Sequence, residues 1–157
     1  MHTASLPYID EHTAVIDAPC EEVWRSLGEA LDQAFSGPGA TGYARLVGAS
    51  PGRAAGPRPL AEGSALAGFR VVAADPGREL VLEGRHRFSR YTLTFRLERV
   101  GPARTRLSAE SRAAFPGVAG AAYRGLVIGT GGHVVGVRRL LGAVRRGCGP
   151  ATGAGTG

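Results

Sequence analysis

Between Leu66 and Phe115 the chain runs in short segments that alternate apolar and polar residues, each ended by a turn sequence. This pattern constrains the fold more than any other feature. A period of two demands a sheet with one buried face and one wet face. Four strands are expected, over Leu66–Ala74, Glu79–His86, Arg90–Arg99 and Arg104–Phe115. Asp75-Pro76-Gly77-Arg78 and Gly101-Pro102 are turn sequences between them. In the third run Tyr91, Leu93, Phe95 and Leu97 point one way, against Arg90, Thr92, Thr94, Arg96 and Glu98. In the fourth, Leu107, Ala109, Ser111, Ala113 and Phe115 oppose Arg106, Ser108, Glu110 and Arg112. Connections this short join antiparallel neighbours, so the centre of the chain reads as a meander.

Upstream, His12–Asp17 reads as a strand and leads into Asp17-Ala18-Pro19-Cys20-Glu21-Glu22-Val23-Trp24. Proline suits the first helical turn, and Glu21 and Glu22 sit where the helix dipole favours negative charge. Val23, Trp24 and Leu27 mark one helical face, with Leu31 and Phe35 continuing into a second short helix. Ser36–Gly42 and Gly48–Gly63 are dense in Gly, Pro and Ala and read as loops, the second a lid or a mobile segment. Tyr43–Val47 between them reads as a short strand. The last element, Ala121–Arg146, is expected as one long helix on the spacing of Tyr123, Val127, Thr130, Val134, Val137, Leu141 and Val144. Six glycines weaken it, and Gly131-Gly132 is the expected place for a break.

The expected fold class is therefore α+β, an antiparallel sheet of about six or seven strands with a long C-terminal helix. The 157 residues suit one domain, expected over residues 12–146, after an N-terminal segment 1–11 and before a disordered glycine-rich tail, 147–157. The net charge of +6 raises nucleic acid as a partner. All nineteen basic residues are arginine, spread from Arg25 to Arg146, and a solvated face accounts for their densest groups, so no nucleic acid is expected. Cys20 and Cys148 form neither a disulfide framework nor a zinc site, and His2 and His12 have no ligand spacing with the other histidines. No metal and no cofactor is expected. No apolar run approaches a membrane span and no signal segment is recognised at Met1–Asp10, which gives the expectation of a cytoplasmic protein without integral membrane association.

The order of strand, Ala-Pro-x-Glu-Glu-Val-Trp helix, meander and C-terminal helix resembles the START-like (SRPBCC) superfamily, specifically its polyketide cyclase/dehydrase-like members. The resemblance covers about His12 to Arg146, and its most specific piece is Val15 to Trp24. Glu83 to Tyr91 and Gly132-His133-Val134 are similar to one subgroup of actinobacterial type. It implies a helix-grip fold, a curved antiparallel sheet wrapped around the long C-terminal helix, with a cavity between the concave sheet face and that helix. Small residues at the expected inward positions Ala73, Gly84, Ala109, Ser111 and Ala113 are compatible with one. As a marker of function the resemblance is weak, because the superfamily includes lipid carriers, cyclases and dehydratases.

Within that frame the expected ligand site comprises Trp24, Phe69, His86, Tyr91, Phe95, Ser111, Tyr123, Val127 and Thr130. Aromatic and aliphatic walls supply affinity, while His86, Tyr91 and Ser111 orient a polar end. The first reading is a binding or carrier module for a small hydrophobic molecule, lipid or polyketide-like. A second is a cyclase or dehydratase in which His86 and Tyr91, set opposite one another by a four-residue connection Arg87–Arg90, move a proton or steady an oxyanion. A third is a protein-interaction domain that docks an acidic partner through Arg138, Arg139, Arg145 and Arg146. The Gly129–Gly132 stretch lacks the following strand and acidic residue of a dinucleotide site and is set aside.

Overall fold

A computed structural model describes residues 6–127 and 132–148. The chain opens with β1 (Tyr8–Ile16), four residues earlier than the alternation suggests. Pro19 then caps α1 (Cys20–Ser36) in extended conformation, φ −68° and ψ 158°. Its carbonyl accepts the amides of Glu22 and Val23 at 3.0 and 3.1 Å. Val23, Leu27, Ala30 and Leu31 are buried on one uninterrupted face, so the segment is one helix through Phe35 instead of two.

The short strand expected at Tyr43–Val47 is corrected: with the preceding loop it forms a helix, α2 (Pro38–Val47). Proline occupies the first turn, and Gly48 closes the helix in the left-handed region, φ 67° and ψ 38°. Ala44 and Val47 are the buried positions of its face. Gly39 and Gly42 lower helix propensity, and the buried face, the proline in the first turn and the Gly48 cap outweigh them.

The run Leu66–Ala74 is likewise two strands, not one. β2 (Ala65–Leu66) reverses at Ala67-Gly68, where Gly68 takes φ 89°, into β3 (Phe69–Asp75). β4 (Glu79–His86), β5 (Ser89–Gly101) and β6 (Arg104–Ala114) follow the alternation closely. The long loop before β2 is tied down. Ser50 and Ala55 bridge to Arg85 and Ala65, and the Arg58 guanidinium donates to the carbonyls of Ala55, Pro57 and Ala65 and to Asp32.

The six antiparallel strands form one sheet in the order β1-β6-β5-β4-β3-β2. A bulge between Val71 and Ala73 flips parity, as one inserted residue must. Ala74 thus pairs with core Leu80, while Ala73 pairs with Val81 on the outer face, not inward as the alternation suggested. The C-terminal region is helical over α3 (Gly117–Val127), which begins four residues before Ala121, and over α4 (Gly132–Cys148). Most of the expected break at Gly131-Gly132 lies outside the described residues.

On α4, Val137, Leu140, Leu141, Val144 and Cys148 form the buried stripe, which packs against α1. The two helices come close because Ser26 on α1 donates to the Val144 carbonyl at 2.7 Å, and because a Cβ at Gly147 would collide with the Ser26 hydroxyl. Leu27, Leu66, Leu82, Phe95 and Leu107 are shut off from solvent in the same core. Each contributes about 1.5–3 kcal/mol of hydrophobic stabilisation. The architecture is an α+β helix-grip fold with its C-terminal helix in the core.

Candidate ligand-binding site

Along β5 and β6 the inward residues change character. Phe95 and Leu107 are core, but the next positions toward the β4–β5 turn are Leu93, Tyr91 and Ser89 on one strand and Ser111 and Ala113 on the other. Opposite this end of the sheet, the last turn of α1, α2 and the start of β3 stand off. Between them lies a cavity of about 400 Å³, within the range of small-molecule sites. Ala34, Phe35, Ala40, Tyr43, Ala44 and Val47 line its helical side. The sheet contributes Phe69, His86, Tyr91, Leu93 and Ser111, and α3 adds Tyr123. No residue of the described part of α4 is among the lining residues. The cavity lies against α2 and α3, and α4 is given over to the core.

An aromatic chain organises the wall. Phe35 meets Phe69 at 5.0 Å between ring centroids, Phe69 meets Tyr91 at 5.1 Å, and Tyr91 meets His86 at 5.5 Å. His86 packs edge-on against Tyr123 at 4.8 Å, and Tyr123 stacks on Phe88 at 5.3 Å. The connection between β4 and β5 is two residues, Arg87 and Phe88, not four. His86 is therefore paired with Ser89, and Tyr91 faces Gly84. The tyrosine ring lies over that glycine, where a Cβ would come within 2.5 Å of Tyr91 Cε2.

The polar groups are few and mostly engaged. Tyr91 donates its hydroxyl to the Gly68 carbonyl at 2.6 Å, and burial raises its pKa. His86 Nδ1 accepts the Phe88 amide at 3.0 Å, which puts the proton of the neutral ring on Nε2. Burial lowers the His86 pKa, and among the described residues no carboxylate forms an ion pair with it. The hydroxyls of Tyr43 and Tyr123 bond to each other, joining α2 to α3, and burial followed by that bond raises the Tyr123 pKa. The Ser111 hydroxyl is buried without a partner.

Of the residues expected from the sequence, Phe69, His86, Tyr91, Ser111 and Tyr123 meet at this cavity. Trp24 packs against the core and Phe95 is wholly within it, both away from the cavity lining. Val127 ends α3, its side chain outside the described set, as is Thr130. The contribution of α2 was missed in the sequence, since a segment taken for loop and strand places Ala40, Tyr43, Ala44 and Val47 on the wall. Among the described residues no group of three or more His, Cys, Asp or Glu side chains could hold a metal ion. None of the described helices is long and apolar enough to cross a membrane.

The six-stranded antiparallel sheet, the α1–α2 crossover and the C-terminal helix make up a helix-grip fold. Solved structures bear this out. The ZhuI aromatase/cyclase from Streptomyces sp. R1128 superposes with a TM-score of 0.59 over 94% of this chain and 98% of its own, at 16% identity. CalU16 from Micromonospora echinospora gives 0.54 over 89% and 75%, at 20% identity. Protein CV1439 from Chromobacterium violaceum gives 0.57 over 92% and 99%, at 14% identity. At such identities the likeness is one of fold. No family model matches the chain, and no curated protein does.

Proposed function

We propose that this protein binds a small hydrophobic molecule, lipid or polyketide-like, in the cavity between the sheet, α2 and α3. The observation that carries the reading is the wall itself: a mainly aromatic and aliphatic lining around about 400 Å³, in which Arg112 is the one charged residue among the described residues. Such a wall gains affinity from buried apolar area, at roughly 25 cal/mol per Å² before the costs of association. Phe69, His86, Tyr91, Ser111 and Tyr123 are the contacts of the bound molecule. Native mass spectrometry of freshly purified protein, followed by denaturing release, tests this. A stoichiometric apolar adduct supports the reading. A bare mass with no uptake from a panel of lipids and polyketide-like aromatics rejects it.

One observation favours a second, enzymatic reading: a neutral imidazole with Nε2–H available stands in an apolar cavity, in a fold shared with a protein named as an aromatase/cyclase. Tyr91 serves that reading poorly, because its proton is held by Gly68 and burial opposes its ionisation. If a cyclisation or dehydration is found, His86 is the proton-handling group. Full turnover by His86→Ala removes it from that role.

A further inference from the structure

We infer that Ser111 is the polar anchor at the floor of the cavity, and that the bound molecule carries a neutral oxygen, hydroxyl or carbonyl, on its buried end. This rests on the binding reading above and narrows the class of ligand. On β6, Ala113 lies opposite Tyr91, and Ser111, two residues deeper, lies opposite Leu93. The next inward residues, Ala109 and Leu107, are fully buried with Phe95 in the core. Ser111 is therefore the last lining residue before the packed interior on its strand.

Its hydroxyl is the one fully buried side-chain oxygen or nitrogen without a hydrogen-bond partner among the described residues. Ser111 is 4% exposed, and its Oγ forms no hydrogen bond. An unpaired buried hydroxyl is a standing cost to the fold. Of the other polar groups at the wall, the Tyr91 hydroxyl is committed to Gly68, His86 Nδ1 to Phe88, Tyr43 to Tyr123, and Ser89 to the Arg90 carbonyl. A serine has three staggered χ1 wells, so a single rotation redirects the hydroxyl, which can then donate or accept.

The charge of the buried end follows from desolvation. Among the described residues Arg112 is the one charged residue that lines the cavity, and its guanidinium is already paired with Glu110 at 2.8 Å. An ionised ligand end at Ser111 would give up its hydration for a single hydroxyl, which disfavours it. The buried end is thus neutral, and an acid group on the ligand belongs at the other end.

Three probes with one ring system test this by calorimetric titration: naphthalene, 2-naphthol and 2-naphthoate, each against wild type and Ser111→Ala. Wild type should bind 2-naphthol about fivefold more tightly than naphthalene, the worth of about one net hydrogen bond. The naphthoate should bind more weakly than naphthalene. Ser111→Ala should erase the naphthol advantage while holding naphthalene within about twofold. The same variant without ligand should melt at a higher temperature, because its orphaned hydroxyl is gone; a serine with a purely structural role would give the opposite sign. Equal binding of naphthalene and naphthol by wild type, a naphthol advantage that survives Ser111→Ala, or preferential binding of the naphthoate overturns this inference alone. Failure of all three probes to bind overturns the binding reading and this one with it.

Discussion

Replacing Gly84 by alanine sets backbone propensity against packing. In an ordinary strand the change is favourable, since glycine is about 0.5–1 kcal/mol worse than alanine in element interiors. Here an added Cβ would stand 2.5 Å from Tyr91 Cε2 and 2.8 Å from Cζ, and would run into the Gly68 carbonyl oxygen. Carbon atoms sit best about 3.5–4.0 Å apart, so the ring must move by roughly 1 Å or more. Tyr91 is not free to do so, being bonded to Gly68 at 2.6 Å and wedged between Phe69 and His86. Overpacking costs about 1–3 kcal/mol. Loss of the tyrosine hydrogen bond adds about 1 kcal/mol. After the propensity gain, a net destabilisation of about 1–3.5 kcal/mol remains, a fall in Tm of roughly 2–14 °C for a chain of this size. Urea unfolding followed by circular dichroism and by the fluorescence of Trp24 reads the change. A variant as stable as wild type, or more stable, would refute the account of how Tyr91 is seated on Gly84.

Two further outcomes follow from the same geometry. Burial holds the His86 imidazole below the ordinary histidine range, so the unfolded chain takes up this proton more readily than the folded one. Its contribution is fully present above about pH 6.5 and is lost as pH falls from there through the lower folded value; thermal melts at stepped pH should show that loss reduced in His86→Gln. Ser26→Ala removes the buried bond to the Val144 carbonyl between α1 and α4. It should cost about 1–2 kcal/mol in urea unfolding, and an unchanged midpoint would place the α1–α4 contact on apolar packing alone.

The sheet was largely legible because alternation reports directly which face is buried, and β4 falls within the residues the pattern marked. What escaped was set by single residues that alternation does not register. Gly68, at φ 89°, folds one apparent strand into two, and the bulge before Ala73 turns that residue outward. α2 hid behind Gly39 and Gly42, though Pro38 and Gly48 were the start and stop signals for a helix. That one misreading removed an entire wall of the cavity from view. His86, Tyr91 and Ser111 could be placed inward by parity, but their hydrogen bonds could not. Whether a tyrosine proton is free or held by Gly68 depends on a contact 23 residues away in sequence.

The central claim is that the cavity, not the surface, takes up an apolar guest. Ala44 is 3% exposed on the wall formed by α2, where a bulky side chain has only the cavity to enter. The direct measurement is a fluorescence titration with N-phenyl-1-naphthylamine, run in parallel on wild type and Ala44→Trp, with circular dichroism to show that both are folded. The account predicts saturable uptake with blue-shifted emission by wild type and none by the filled variant. Equal uptake by both, or none by wild type, would contradict it.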